Sequence, residues 1–249
     1  MRVELDGVAK GRRDAALPPT SLTYSSGRAT LATAETEQRP TVLGLIASGR
    51  MAPDAGAVSI DGAAGRRAVS DLRRRVALVD APDVSDPAPN VTVAGVVGEE
   101  LMFAGLPADP ISARRWLHEH GLRGLSRLPI GDLAPRERIR ILLELAAVRP
   151  RVDGLVLVAP DRHGGDPSAW WSLAEEFAAR GLAVLVIAGE ASRAALTAAQ
   201  ETSTATGGDR GSRSRLRPSR VRPSRRRTNL AGADLAHSDL AHPDREGAR

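Results

Sequence analysis

A chain of 249 residues that is 42% hydrophobic and only 2% aromatic can bury one large core of Ala, Val, Leu and Ile, with or without a tail. It has no Cys, which excludes disulfides and thiolate metal sites and agrees with a cytoplasmic location. The net charge of +5 belongs to residues 201–249, which hold 11 Arg against 6 acids and leave 24 basic and 24 acidic residues in 1–200, so the body gives no electrostatic reason to expect a specific nucleic-acid partner.

No apolar run approaches the ~18 residues of a membrane span, and the opening MRVELDGV lacks the apolar stretch of a signal peptide. Short apolar, β-branched runs predict strands at residues 2–5, 21–24, 29–33, 57–60, 76–79, 155–158 and 183–188. Helical periodicity predicts helices at 41–48, 91–104, 112–120, 135–148, 169–180 and 191–199. LVLV at 155–158 and AVLVIA at 183–188 are continuously apolar, as interior strands of a parallel sheet covered on both faces should be. Gly181 follows the 169–180 segment as a C-cap would before the chain returns to the sheet. The alternation predicts an α/β domain over residues 1–200.

After Gln200 the composition shifts to Ser, Thr, Gly, Arg and Pro, with nine Arg between Arg210 and Arg227. Such a segment buries too little apolar surface to offset its ordering entropy, and residues 201–249 are expected to form a basic, low-complexity, disordered tail. Leu230, Leu235 and Leu240 stand five apart in the manner of pentapeptide repeats, but three copies are too few to stack a solenoid. The tail's Arg side chains can attract anionic lipid or nucleic acid without specificity.

Six segments then stand in a telling order. They are LATAETEQRPTVLGLIASGRMAPDAGAVSIDG at 31–62, LRRRVALVDAP at 72–82 and VTVAGVVGEEL at 91–101. LAPRERIRILLELAAVRP at 133–150, DGLVLVAPDRHGGD at 153–166 and GLAVLVIAGEAS at 181–192 follow. In order and spacing they resemble the phosphate loop, Q-loop, helical subdomain, signature, Walker B and H-loop segments of ABC transporter ATP-binding subunits. The chain thus resembles a degenerate, actinobacterial-type member of that family. The resemblance implies a P-loop NTPase-like nucleotide-binding domain with a mostly parallel core, a small β layer and a reduced helical subdomain at about 82–138.

The resemblance also implies ATP with Mg as cofactors, and the residues at the motif positions argue against both. A working phosphate loop needs glycines that bring N–H groups to the phosphates, a Lys and a Mg-binding hydroxyl. Thr33, Thr36 and Gln38 stand at the glycine positions, Arg39 at the Lys position and Pro40 at the Mg-binding position, while Thr41 matches the family's Thr. Arg39 and Thr41 are therefore the remaining candidates for nucleotide contact. Glu35 and Glu37 place two carboxylates where a triphosphate would lie. One of them acts as a built-in substitute for phosphate at a helix N-terminus, or both are simply solvated. The Q-loop position is Ala81, the signature reads Leu133, Ala134, Pro135, Arg136, Glu137, Arg138, the Walker B acids are replaced by Val158 and Ala159, and the H-loop position is Gly189. No catalytic residue is left to assign, since phosphoryl transfer depends on those positioning and charge-stabilising groups.

Other features admit two readings each. Asp161, His163 and Asp166 offer metal-ligand chemistry, or simply form a turn or subunit contact after a strand. His118 and His120 face different sides of a helix and cannot chelate together. Of Trp170 and Trp171, one belongs to the core and the other to the surface or a partner. Val96, Leu101, Met102 and Phe103 supply apolar anchors for a membrane subunit or fill the helical subdomain's own core. Two functions follow from the resemblance. One is an ATP-binding subunit on the inner face of the plasma membrane, joined to a multi-span membrane protein and dimerising with itself or with another such ATPase, with weak or no hydrolysis. The other is a non-catalytic pseudo-ATPase that docks on or regulates a membrane protein.

Overall fold

In a computed structural model, which describes residues 1–35 and 39–208 (for Asp14 and 203–208 the backbone alone), the chain opens with strands β1 (Arg2–Lys10), β2 (Leu17–Ser25) and β3 (Arg28–Thr33). Helix α1 (Arg39–Ala47) comes next, then β4 (Ala55–Ile60), the two-residue β5 (Ala63–Ala64) and α2 (Arg66–Arg75). Strand β6 (Val76–Val79) leads into α3 (Val93–Phe103), α4 (Pro110–Glu119) and α5 (Pro135–Val148). The chain then forms β7 (Gly154–Val158), α6 (Pro167–Ala179), β8 (Ala183–Ala188) and α7 (Glu190–Gly208). Residues 36–38 and 209–249 lie outside the described residues, and with them the expectations for Thr36, Glu37, Gln38, the Arg-rich run and the five-residue leucine spacing.

Two sheets result. One is antiparallel with strand order β2-β1-β4-β5, and the other is parallel with order β3-β8-β7-β6. The strand period of two decides how the parallel sheet is covered. Leu155, Leu157, Val184 and Val186 point into a core shared with α3, α5 and α6. Val156, Val158, Leu185 and Ile187 point the other way, into a core shared with α1 and the antiparallel sheet. All eight are fully buried, which is why β7 and β8 read as unbroken apolar runs. The α/β expectation, with a mostly parallel core and a small β layer, holds.

Close approach sets two glycines. A Cβ on Gly44 in α1 would come within 2.7 Å of Val158 Cγ2, so α1 lies on β7 only because position 44 is bare. Gly56 has φ +78 and a Cβ there would meet Gly7 at 2.4 Å, where β4 crosses the irregular middle of β1. Side-chain caps start three helices: Thr92 accepts from Gly95 N–H, Asp109 from Ile111 and Ser112, and Asp166 from Ser168. Each such cap is worth about 1 kcal/mol. The Ser168 contacts hold the Asp166 carboxyl below its ordinary pKa.

Three elements differ from the sequence expectation. Helix α2 went unforeseen because its only buried residues are Ala68 and Leu72, too few to show a period within an Arg-rich stretch. Strand β5, of two residues, is too short to carry a pattern. Helix α7 continues to Gly208, past the start of the tail expected at 201. The polar composition there does not break the helix, and Thr202 bonds back to the Ala198 carbonyl at 2.9 Å. Helices α3 and α4 and single turns at Arg123–Leu125 and Ile130–Asp132 occupy the segment between β6 and α5.

Candidate functional site

In open parallel sheets ligands sit beyond the carboxyl ends of the strands, and here that end is built from the segments following β3, β6, β7 and β8. Helix α1 begins with Arg39 and buried Pro40. Proline suits a first helical turn through its fixed φ, but it removes an amide that would otherwise face an anion. Arg39 and Thr41 are half-buried. Arg39 Nε is buried and has no hydrogen-bond partner among the described residues.

The centre of this end is Asp80, directly after β6. Its side chain is completely buried and its φ of +55 turns the chain sharply out of the sheet. Arg138 Nη2, from the first turns of α5, donates to Oδ1 at 2.8 Å. Arg162 Nη2 donates to the same oxygen at 3.1 Å, and His163 Nε2 donates to Oδ2 at 2.7 Å. Arg162 also donates to the Asp80 carbonyl. Burial pushes the Asp80 carboxyl up, but the bonds from His163 and Arg138 and the charge of Arg162 outweigh it and hold the carboxyl below its ordinary pKa. This cluster ties the segments after β6 and β7 to the start of α5 with protein charges alone. Sequence reasoning missed it, since its members come from three separate segments. The one available signal was an acid directly after an apolar strand.

A second cluster closes the neighbouring corner. After β7 the backbone enters a left-handed residue, Ala159, and the turn Pro160–His163, which aims Asp161 at α7. Asp161 Oδ2 accepts from Gly189 N–H at 2.8 Å and lies 3.2 Å from Ser192 Oγ. Glu35, from the loop after β3, accepts from Glu190 N–H at 2.5 Å. Two carboxylates thus take up two N–H groups at the positive dipole end of α7. A built-in carboxylate at a helix N-terminus is indeed present, but the helix is α7, whereas Glu35 precedes α1 in the chain.

The groups present do not fit Mg·ATP. Val158, where the resemblance would put the metal-binding acid, is fully buried among apolar side chains, and Ala159 has no carboxylate to act as base. The Gly189 amide is already bonded, and a Cβ there would approach Asp161 Oδ2 to 3.1 Å. No group of three or more His, Cys, Asp or Glu among the described residues could hold a metal ion. Asp161, His163 and Asp166 diverge to α7, Asp80 and the start of α6.

The remaining candidates separate cleanly. Trp170 is buried in the core, and Trp171 is half-buried with its Nε1–H donating to Glu175 at 2.9 Å. His120 stacks on Trp116 at 3.8 Å, while His118 is exposed. Val96 and Leu101 belong to the core, whereas Met102 and Phe103 are 59% and 62% exposed. Phe103 borders a groove of about 370 Å³ between the segment after β6 and α3, lined also by Val84, Asp86, Glu99, Leu142 and Arg149.

No family model and no curated protein matches the chain. Solved structures do. A nucleotide-free ATP-binding cassette from an ABC transporter is 16% identical, over 76% of this chain and 82% of its own, with a TM-score of 0.55. A putative ABC transporter ATP-binding protein from Pyrococcus furiosus is 13% identical over 76% and 92%, with a TM-score of 0.53. The cbiO1 protein of Clostridium perfringens, part of the ABC transporter complex cbiONQ, is 20% identical over 75% and 77%, with a TM-score of 0.53. The class is therefore defined at the level of fold: this chain has the fold of an ABC transporter ATP-binding cassette. Among the described residues no helix is long and apolar enough to cross a membrane.

Proposed function

We propose that the chain is an ATP-binding-cassette subunit of a membrane ABC transporter system that hydrolyses ATP weakly or not at all. One observation carries the reading: carboxylates from the loop after β3 and the turn after β7 both bond the N-terminus of α7, where a cassette at work would handle phosphate and water. A triphosphate brought there would meet like charge and would have to displace two charge-assisted bonds. Arg39 and Thr41 are the residues left to contact nucleotide, without a general base or metal ligand to support them.

The fold and the open groove beside Phe103 support a role as a partner. In this reading the chain sits on the cytoplasmic face of the plasma membrane, bound to a multi-span membrane protein, and pairs with itself or with another cassette subunit. The second reading, a non-catalytic pseudo-ATPase that docks or regulates, is favoured by Val158. It is buried in the apolar core and offers no ligand to a metal ion, which supports that reading.

Phosphate release from Mg·ATP by the purified full chain tests the reading. No release above the enzyme-free rate is expected. Turnover on the order of 1 per second, the ordinary scale for enzymes, would overturn it.

A further inference from the structure

Away from the strand ends, a second pocket carries uncompensated charge. Ile111, Arg114, Arg115 and His118 fall at i, i+3, i+4 and i+7 of α4, so they share one face of that helix. The chain after α4 turns back through Arg123–Leu125 and adds Arg123 and Arg127 to the same hollow, which encloses about 470 Å³. Ser126 completes the wall, and no acidic side chain lines it.

The four guanidiniums are exposed, and among the described residues none of them has an ion pair. Other arginines of the same molecule also lack an ion pair, but these four gather around one hollow that no acidic side chain lines. Four like charges around one concavity repel one another unless an anion enters. The guanidinium fork matches the oxygens of a phosphate group better than any point charge does. The volume is that of a small-molecule site, and its wall is polar, which suits a multiply charged anion and not an apolar ligand.

We propose that this pocket, formed by Arg114, Arg115, His118, Arg123 and Arg127, binds a phosphate-bearing anion. Two sources share that chemistry. One is a soluble polyphosphate compound. The other is the headgroup of an anionic lipid, for which Ile111, 69% exposed at the rim, would enter the acyl boundary.

The test uses the full chain at about 50 mM salt, where screening is modest. Inorganic tripolyphosphate is titrated calorimetrically, and vesicles of phosphatidylcholine with or without phosphatidylglycerol are co-sedimented. Each is repeated with Arg114→Gln/Arg123→Gln/Arg127→Gln and with a control carrying Arg222, Arg225, Arg226 and Arg227→Gln. The expected result is saturable binding that weakens at least tenfold in the pocket variant and less than threefold in the tail variant, with an unchanged melting temperature. Loss confined to tripolyphosphate assigns a soluble ligand. Loss confined to phosphatidylglycerol vesicles, shared by Ile111→Ser, assigns headgroups. Absence of saturable binding to either probe, or binding that the tail variant abolishes and the pocket variant leaves intact, overturns the proposal. Neither outcome bears on ATP hydrolysis, so this inference and the proposed function fail separately.

Discussion

Asp80, at the carboxyl end of the parallel sheet, is fully buried and meets two guanidiniums and an imidazole. Arg114 and Arg127, on and after α4, are exposed and meet no carboxylate among the described residues. Both regions are rich in charge, yet one has been closed with internal partners and the other left open. At the carboxyl end of the parallel sheet, Asp161 and Glu35 already answer N–H groups of α7. Beside α4, unanswered cations line a hollow. The contrast teaches that inventory alone does not locate a binding site, because a charge is available to a ligand only when the protein has not already satisfied it.

The largest expected effect lies in the closed region. Asp80→Ala leaves Arg138 buried and uncompensated, and breaking such a pair costs about 3–5 kcal/mol. Urea unfolding is expected to show a loss of that size, and a loss below about 1 kcal/mol would mean that solvent reaches the cluster. The pH dependence follows the same residue. Its carboxyl has a lower pKa folded than unfolded, so the native state binds fewer protons there. The stability it contributes is complete above its ordinary value of 3.8 and disappears as pH falls through the lower folded value. Unfolding curves between pH 5 and about 2 should therefore converge for the wild-type chain and the Asp80→Ala variant.

A smaller effect is expected at α7. Asp161→Ala removes the acceptor of Gly189 N–H and a partner of Ser192, and one hydrogen bond of this kind contributes about 1 kcal/mol. Thermal or urea melts check the value. No change at all would indicate that water replaces the carboxylate freely and that this corner is less closed than its geometry implies.

How much of this was legible in the residues depends on range. The periodic elements were legible: the strand at 76–79 and the helix at 135–148 were predicted with the bounds observed, since apolar patterning is local. The order of segments at the strand ends was legible through spacing, and so was the apolar end of β7 at Val158. The Asp80 cluster was not, because its bonds span 58 to 83 residues and no local pattern records such a pairing. Glu35 was recognised as a carboxylate near a helix start, but the helix it caps lies 155 residues away. The basic pocket was hidden for a related reason. Arg114, Arg115, Arg123 and Arg127 sit among the 35 basic residues of an arginine-rich chain, and only folding shows which of them lack partners.

The most direct test of the central claim, that the nucleotide end of this fold has been closed by its own carboxylates, is a calorimetric titration of the full chain with Mg·ATP. It should be run alongside the Arg114→Gln/Arg123→Gln/Arg127→Gln variant, so that phosphate attracted to the α4 pocket is separated from nucleotide at the strand ends. The account predicts that no Mg-dependent binding tighter than about 1 mM, or roughly −4 kcal/mol, survives in that variant. A micromolar, Mg-dependent dissociation constant that persists there would contradict it.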